Sequence, residues 1–288
     1  MSDYAMSGNR ILATNLDLKH TIASGQPLTF LADCDWPKKR FSYVDNGKKT
    51  TFRVSGNPSN LIMTLARGAP NSMERAVERF RLDESLSSVY KKINTDRFMG
   101  AAIAKYNGMR LTRNDPWETT ICFITSQYSN LKRIRQNVRS LMDTFGTRSV
   151  DGSMRFPTSE ELMRATEKQL LGLGFGYRAP YLMHAAEYCT NNMDLKRLGR
   201  KEYGLLKESL MEINGVGDKV ADCIALMGYG RLEAFPIDVW VKRTMEKVYF
   251  KGKVQKMDKI HEFASDQWGR HRGYAQQYLF HKSRNDNK

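Results

Sequence analysis

No stretch of this 288-residue chain approaches the roughly 20 apolar residues that a membrane-spanning helix needs. Its opening segment, MSDYAMSGNRILATN, lacks the basic stretch and apolar core of a secretory leader. The expected setting is intracellular and close to chromosomal DNA, with no membrane partner. Cysteine is also scarce. Cys34, Cys122, Cys189 and Cys223 are widely scattered and form no CxxC pair, so the spacing signals neither a zinc cage nor an iron-sulfur cluster, and reduced thiols are expected. The third deficit is acid. Asp and Glu number 31 against 46 Lys and Arg, a formal net charge of +15, which points to a polyanionic partner because Lys and Arg displace counterions condensed on phosphates. Internal repeats and low-complexity tracts are absent, and 41% hydrophobic residues suffice for a sizeable core.

The patterning that is present divides the chain. Between residues 16 and 65 the runs LDLKHTI, PLTFLA, RFSYV, TTFRV and LIMTL read as strands, with Asn46-Gly47 as a hairpin turn. From about Asn71 the period becomes helical: MERAVERF, DESLSSVYKKI, PWETTICFITSQY, LKRIRQNVRSLMDTF, SEELMRATEKQLL, APYLMHAAEYC and KEYGLLKESLMEI are successive amphipathic segments. Asp115-Pro116 and Pro157-Thr158 mark helix starts, Gly146 marks a helix end, and the terminal SRNDNK is expected to fray. The class is therefore α+β: an N-terminal antiparallel sheet domain (residues 1–72), a helical subdomain (73–199) and a second helical subdomain (200–288).

Residues 210 to 243, LMEINGVGDKVADCIALMGYGRLEAFPIDVWVKR, carry the chemistry. They read as helix, glycine hairpin, helix, loop and helix. Gly215, Val216 and Gly217 permit a tight turn, and the helix behind them presents unpaired N–H groups, which can hold a phosphate without side-chain charge. Lys219 falls in the first turn of that helix, where the dipole and limited solvation favour a free amine and hence a nucleophile. Asp238 opens the next helix, where a carboxylate caps N–H groups and can also face a sugar cation. Each feature alone has a plainer explanation: a helix-helix turn, a phosphate-contacting lysine, a capping aspartate.

Together, Gly215-Val216-Gly217, Lys219 to Cys223 and Pro236-Ile237-Asp238-Val239 resemble the helix-hairpin-helix and Gly/Pro-rich loop with its aspartate in a superfamily of DNA glycosylases. Within it the chain is most similar to the 8-oxoguanine DNA glycosylases. Ser24-Gly25-Gln26, Asn114 to Glu118, Leu173 to Ala179, and Gly273 to Gln276 with Leu279-Phe280 follow the same pattern in order. The resemblance implies a sheet domain followed by two helical subdomains with duplex DNA in the cleft. It implies a monomeric enzyme of base excision repair that flips 8-oxoguanine out of the duplex, excises it through a lysine Schiff base and nicks the strand.

Carried over residue by residue, Lys219 is the nucleophile and Asp238 stabilises the sugar cation. Cys223 and Phe280 sandwich the base, Gln276 binds its Watson-Crick edge, and the Gly25 carbonyl reads the hydrogen that only the oxidised purine carries on N7. Tyr177, Arg178 and Arg133 lie on the duplex side, with the guanidiniums facing the orphaned base. Tyr128 stands where animal relatives place an asparagine wedge, and Trp240 where a histidine is usual. The acidic residue that follows the Phe in those relatives has no match near His281-Lys282. These departures predict relaxed opposite-base selectivity. No cofactor is expected for catalysis, although the hairpin leaves room for a structural cation. An alkylbase glycosylase would not need Lys219, an endonuclease III-like enzyme would carry four cysteines after the aspartate, and a non-catalytic hairpin module would have no use for Lys219, Asp238 and Gln276 together.

Overall fold

The computed structural model describes residues 2–45 and 47–286. Alternation of large apolar and polar residues builds a six-stranded antiparallel sheet from β1 (Tyr4–Ser7), β2 (Arg10–Ala13), β3 (Asp33–Asp35), β4 (Arg40–Asp45), β5 (Lys48–Asn57) and β6 (Asn60–Arg67), in the order β1-β2-β6-β5-β4-β3. Phe41 lies opposite Phe52 with the rings stacked at 5.5 Å, and Ile11, Tyr43 and Met63 are buried in the same core. The β4–β5 hairpin closes at Asp45 and Lys48, with Gly47 at φ +72°. Asn46, the other half of the expected turn signal, lies outside the described residues.

Two segments read as strands are helices: α1 (Leu18–Ala23) and α2 (Pro27–Leu31). Asp17 caps α1 by accepting the His20 N–H at 2.9 Å, and Pro27 opens α2 with its φ already helical. Helical spacing also lets this short stretch serve two cores. Leu18, Ile22 and Leu28 join the sheet core, while Phe30 and Leu31 join the helical one. The sequence pattern did not anticipate β1 and β2.

Among the described residues the remaining chain is helical: α3 (Ser72–Arg79), α4 (Leu86–Ile93), α5 (Arg97–Lys105), α6 (Pro116–Ser126), α7 (Leu131–Phe145), α8 (Ser159–Leu162), α9 (Glu167–Gly172), α10 (Ala179–Asn191), α11 (Leu195–Leu198), α12 (Tyr203–Met211), α13 (Asp218–Met227), α14 (Val239–Val248), α15 (Met257–Trp268) and α16 (Arg272–Asp286), with short 3₁₀ turns before α10 and α16. The expected single helix over SEELMRATEKQLL is two, α8 and α9, because Thr166 caps a new start, as Thr158 does for the first, each with a reciprocal capping box. Asp115 caps α6 through the N–H groups of Trp117 and Glu118. Residues 283 to 286 of the terminal SRNDNK do not fray, because α16 runs through Asp286, which is paired with Lys105 at 2.6 Å and Lys282 at 2.5 Å; the last two residues lie outside the described residues.

Two buried polar side chains join sheet and helices. Arg110, wholly buried, pairs with Asp3 and donates to the carbonyls of Asn15 (2.9 Å), Arg81 (2.5 Å) and Glu84 (3.2 Å). Gln26 donates to Arg110 O at 2.8 Å and accepts the Thr112 N–H at 2.7 Å. No helix of the described residues is long and apolar enough to cross a membrane.

Candidate active site

The hairpin between α12 and α13 is shaped by its glycines. Gly215 has φ +85°, and a Cβ there would meet Tyr181 Cγ at 2.5 Å, so both conformation and space demand glycine. Gly217 is the N-cap of α13 with no side-chain cap, and nothing stands within 4 Å of where its Cβ would be, which leaves the positive end of the helix open to an approaching anion. Val216, expected to help hold DNA, is instead buried and anchors the turn in the core. Gln127 donates to Gly215 O at 2.9 Å and ties the hairpin to the end of α6.

Lys219 is the second residue of α13. It is half-buried, with Nζ 5.4 Å from the Phe123 ring centroid and within reach of the Cys223 thiol one turn below. Asp238 is the N-cap of α14, accepting the Val241 N–H at 2.8 Å. Burial pushes its carboxyl above the ordinary aspartate range, opposed by the Val241 N–H, the Lys219 ammonium, the Trp240 N–H and the Arg284 guanidinium. Lys219 and Asp238, nineteen positions apart, line one cavity of about 590 Å³ together with Gly25, Phe123, Phe280 and Arg284. Trp240 is part of the same wall.

Gly25 is held in this wall from several sides. Its N–H donates to Thr29 Oγ1 at 2.9 Å, Gln277 on α16 donates to Ser24 O at 2.9 Å, and the next residue is the buried Gln26. With φ +82°, and with Phe280 Cε1 only 3.1 Å from where a Cβ would stand, the position excludes larger residues. The loop and Phe280 are therefore built as one unit.

Other expected residues lie differently. Cys223 and Gln276, expected with Phe280 to hold the flipped base, are 3% and 4% exposed and do not line the cavity. Burial pushes the Cys223 thiol up to about 11, which keeps it neutral and suits packing contact over nucleophilic chemistry. Gln276 donates Nε2 to Pro236 O at 3.0 Å, while its buried Oε1 has no partner.

Arg178, expected to face the duplex, is only 5% exposed. Its guanidinium donates to the carbonyls of Gln127, Tyr128 (3.2 Å) and Phe175 (3.2 Å), because it closes the turn after α6. That turn leaves Tyr128 97% exposed at φ +45°. The Tyr128, Tyr177 and Tyr181 rings follow edge to face at 6.4 and 6.2 Å, forming an aromatic ridge from the cavity rim to the hairpin. Arg133, on the first turn of α7, is exposed. Sequence analysis missed Arg284, although it lies one helical turn after Phe280.

On α13, Asp222 is fully buried. It accepts from Tyr203 Oη at 2.5 Å and pairs with Lys207 at 3.0 Å, while Lys207 also holds Asp218 at 2.7 Å and His261 lies 3.9 Å away. Asp218, Asp222 and His261 have the spacing of metal ligands, but the Lys207 ammonium already pairs with both carboxylates, so the cluster forms an ion-pair brace between α12, α13 and α15. Asp222→Ala should lower unfolding free energy by about 1–3 kcal/mol, because the Tyr203 hydroxyl loses its acceptor while Lys207 keeps Asp218. Lys207→Met combined with Asp222→Leu should recover most of it. A denaturant midpoint unchanged by Asp222→Ala would refute the brace. At the hairpin itself, the carbonyls of Ile213 and Gly215 accept from Val216 N–H and Gln127 Nε2.

Comparison with known proteins places this geometry. Residues 10–120 match the N-terminal domain of 8-oxoguanine DNA glycosylase, and residues 121–270 match the HhH-GPD superfamily of base excision DNA repair proteins. An N-glycosylase/DNA lyase of Saccharomyces cerevisiae is 34% identical over 70% of this chain and 64% of its own length. A probable N-glycosylase/DNA lyase of Methanothermobacter thermautotrophicus is 30% identical over 66% of this chain and 68% of its own. A Clostridium acetobutylicum 8-oxoguanine glycosylase/lyase, solved with double-stranded DNA containing cytosine opposite 8-oxoguanine, superposes with a TM-score of 0.88 at 25% identity, covering 99% of this chain and 100% of that one. The match thus spans somewhat less than two thirds of the yeast relative's length. The chain belongs to the HhH-GPD superfamily of base excision DNA repair proteins, in its 8-oxoguanine DNA glycosylase family.

Proposed function

We propose that this protein is a bifunctional DNA glycosylase and lyase that removes 8-oxoguanine from duplex DNA. The observation that carries the reading is the convergence of Lys219 and Asp238 on one cavity that also presents the Phe280 ring and the Gly25 backbone. In this reading the duplex backbone lies on the open end of α13 at Gly217, and the tyrosine ridge meets the base stack. The flipped nucleotide enters the cavity. Lys219 Nζ bonds to C1′ as the glycosidic bond breaks, and the base departs with the electron pair. Asp238, across the same cavity, opposes the positive charge that builds on the sugar. Once the lysine nitrogen has lost a proton, its lone pair expels O4′ from C1′, O4′ takes up a proton as the sugar ring opens, and the Schiff base forms; removal of a C2′ proton then expels the 3′ phosphate and nicks the strand.

For the sandwich with Phe280 to form, Lys219 must move off Cys223 and the base must take its place. The unpartnered Gln276 Oε1 is an acceptor suited to the N–H donors of the purine's Watson-Crick edge. Reading of the opposite base falls to Arg133, since Arg178 is engaged internally, which supports relaxed selectivity. The sheet domain, the helical subdomain and the hairpin-bearing subdomain act together here, as Gly25, Phe123 and Lys219 each come from a different one. No cofactor enters any step.

Borohydride treatment of the protein with a duplex bearing 8-oxoguanine should give a covalent protein-DNA adduct together with free 8-oxoguanine. Base release without an adduct would leave a glycosylase of a different mechanism. Neither product, from a folded protein that traps on an abasic site, would remove the assigned lesion.

A further inference from the structure

Arg284 is placed in the cavity by α16, four residues after Phe280, and its guanidinium carbon stands 5.3 Å from the Phe280 ring centroid. One of its nitrogens, Nη2, is anchored by donating to Ala23 O at 2.7 Å. The other two, Nε and Nη1, are buried and have no hydrogen-bond partner. Nη1 lies 3.4 Å from the point where a Cβ on Gly25 would stand, so an unsatisfied donor abuts the loop whose carbonyl is assigned to N7 of the lesion. A buried guanidinium with idle N–H groups is costly unless something supplies acceptors. Asp238 acts on Arg284 electrostatically, but no hydrogen bond joins them, and Asp238 is capped into α14.

Resting on the functional reading above, we propose that Arg284 is a specificity-determining residue that donates from Nε or Nη1 to a carbonyl oxygen flanking N7 of the flipped oxidised purine. The chemistry of the edge fits. In 8-oxoguanine the N7–H, which an acceptor must satisfy, stands between two carbonyl oxygens, which need donors. Gly25 offers the acceptor, and Arg284, packed against it, offers the donors. The planar guanidinium also lies against the ring on which the base is to stack, so it can reach the base edge through a small swing while Nη2 stays on Ala23.

The test separates contact with the base from support of the catalytic groups. Arg284→Met keeps the length and apolar packing and removes the donors. Single-turnover excision from an 8-oxoguanine duplex should fall about 10- to 100-fold, the scale of a lost charged hydrogen bond. Borohydride trapping on a preformed abasic site, where there is no base edge to read, should stay within about threefold of the parent, and Arg284→Lys should recover part of the excision rate, since it restores a charged donor. Unchanged excision in Arg284→Met would overturn the assignment. An equal fall in excision and abasic-site trapping would also overturn it, because Arg284 would then act on the phosphates, on Asp238 or on the fold. A parent that leaves 8-oxoguanine untouched would overturn the functional reading along with this one, whereas an active parent with an indifferent variant would overturn this one alone.

Discussion

Lys219→Gln should abolish base release and eliminate the borohydride-trapped adduct, while the protein still folds and still binds the lesion duplex. The expected loss in single-turnover rate is on the order of 10⁴-fold or more, because removing a nucleophile disables the unit that acts with it. The fold should tolerate the change. Lys219 stands in the first turn of α13, where a positive charge opposes the helix dipole, so a neutral side chain of similar length removes an unfavourable term. The loss of attraction to Asp238 works the other way and is small for a half-buried cation. Binding should survive because the phosphate contacts assigned to the hairpin use backbone N–H groups, and the wider basic surface is untouched by one substitution. The measurements are single-turnover excision, adduct formation and duplex affinity on the same preparation. An adduct in the variant would move the nucleophile to another amine, and loss of duplex binding alongside activity would make Lys219 part of the clamp.

Asp238→Asn should slow base release by about 10²- to 10³-fold, the effect typical of removing one preorganised electrostatic contact to a developing charge. This substitution is informative because asparagine is as good an N-cap as aspartate. The Val241 N–H that Asp238 accepts at 2.8 Å would still find a side-chain oxygen, so thermal stability should stay near the parent value. Asp238→Ala would lose both functions and add about 1 kcal/mol of instability from the missing cap. Activity that tracks charge, with stability that tracks the cap, would separate the two roles of one carboxylate. Near-normal turnover by Asp238→Asn would reduce Asp238 to its capping role.

Where the sequence was informative, local physics sufficed. The apolar-rich run of Arg40–Asp45 beside the turn at Gly47 marks a strand, and the helices after Ser72 announce themselves by period and by caps such as Asp115 and Thr158. The Gly215 to Gly217 turn, Lys219 and Asp238 were legible because each occupies a position defined by its own helix end: a turn that only glycine allows, a first-turn lysine, an N-cap aspartate. The misread segments show the limit. Residues 18 to 23 and 27 to 31 are too short for period to separate helix from strand, and Asp17 and Pro27 settle the matter only once the two cores they must serve exist.

Contacts across the chain are invisible to such local rules. That Arg178 turns inward was decided by the carbonyls of Gln127 and Tyr128, some fifty residues upstream, and that Lys219 and Asp238 share a wall with Gly25 and Arg284 was decided by how α13, α14 and α16 pack around the Gly25 loop. By itself the sequence determined most of the helices after Ser72, caps such as Asp115 and Thr158, the excess of basic residues and the candidate reactive groups, since these depend on residue type and near neighbours. Tertiary structure alone decided which guanidinium is satisfied inside the protein and which, on a residue of the cavity wall, is left with idle buried donors, because burial and hydrogen-bond partners are properties of the packed chain.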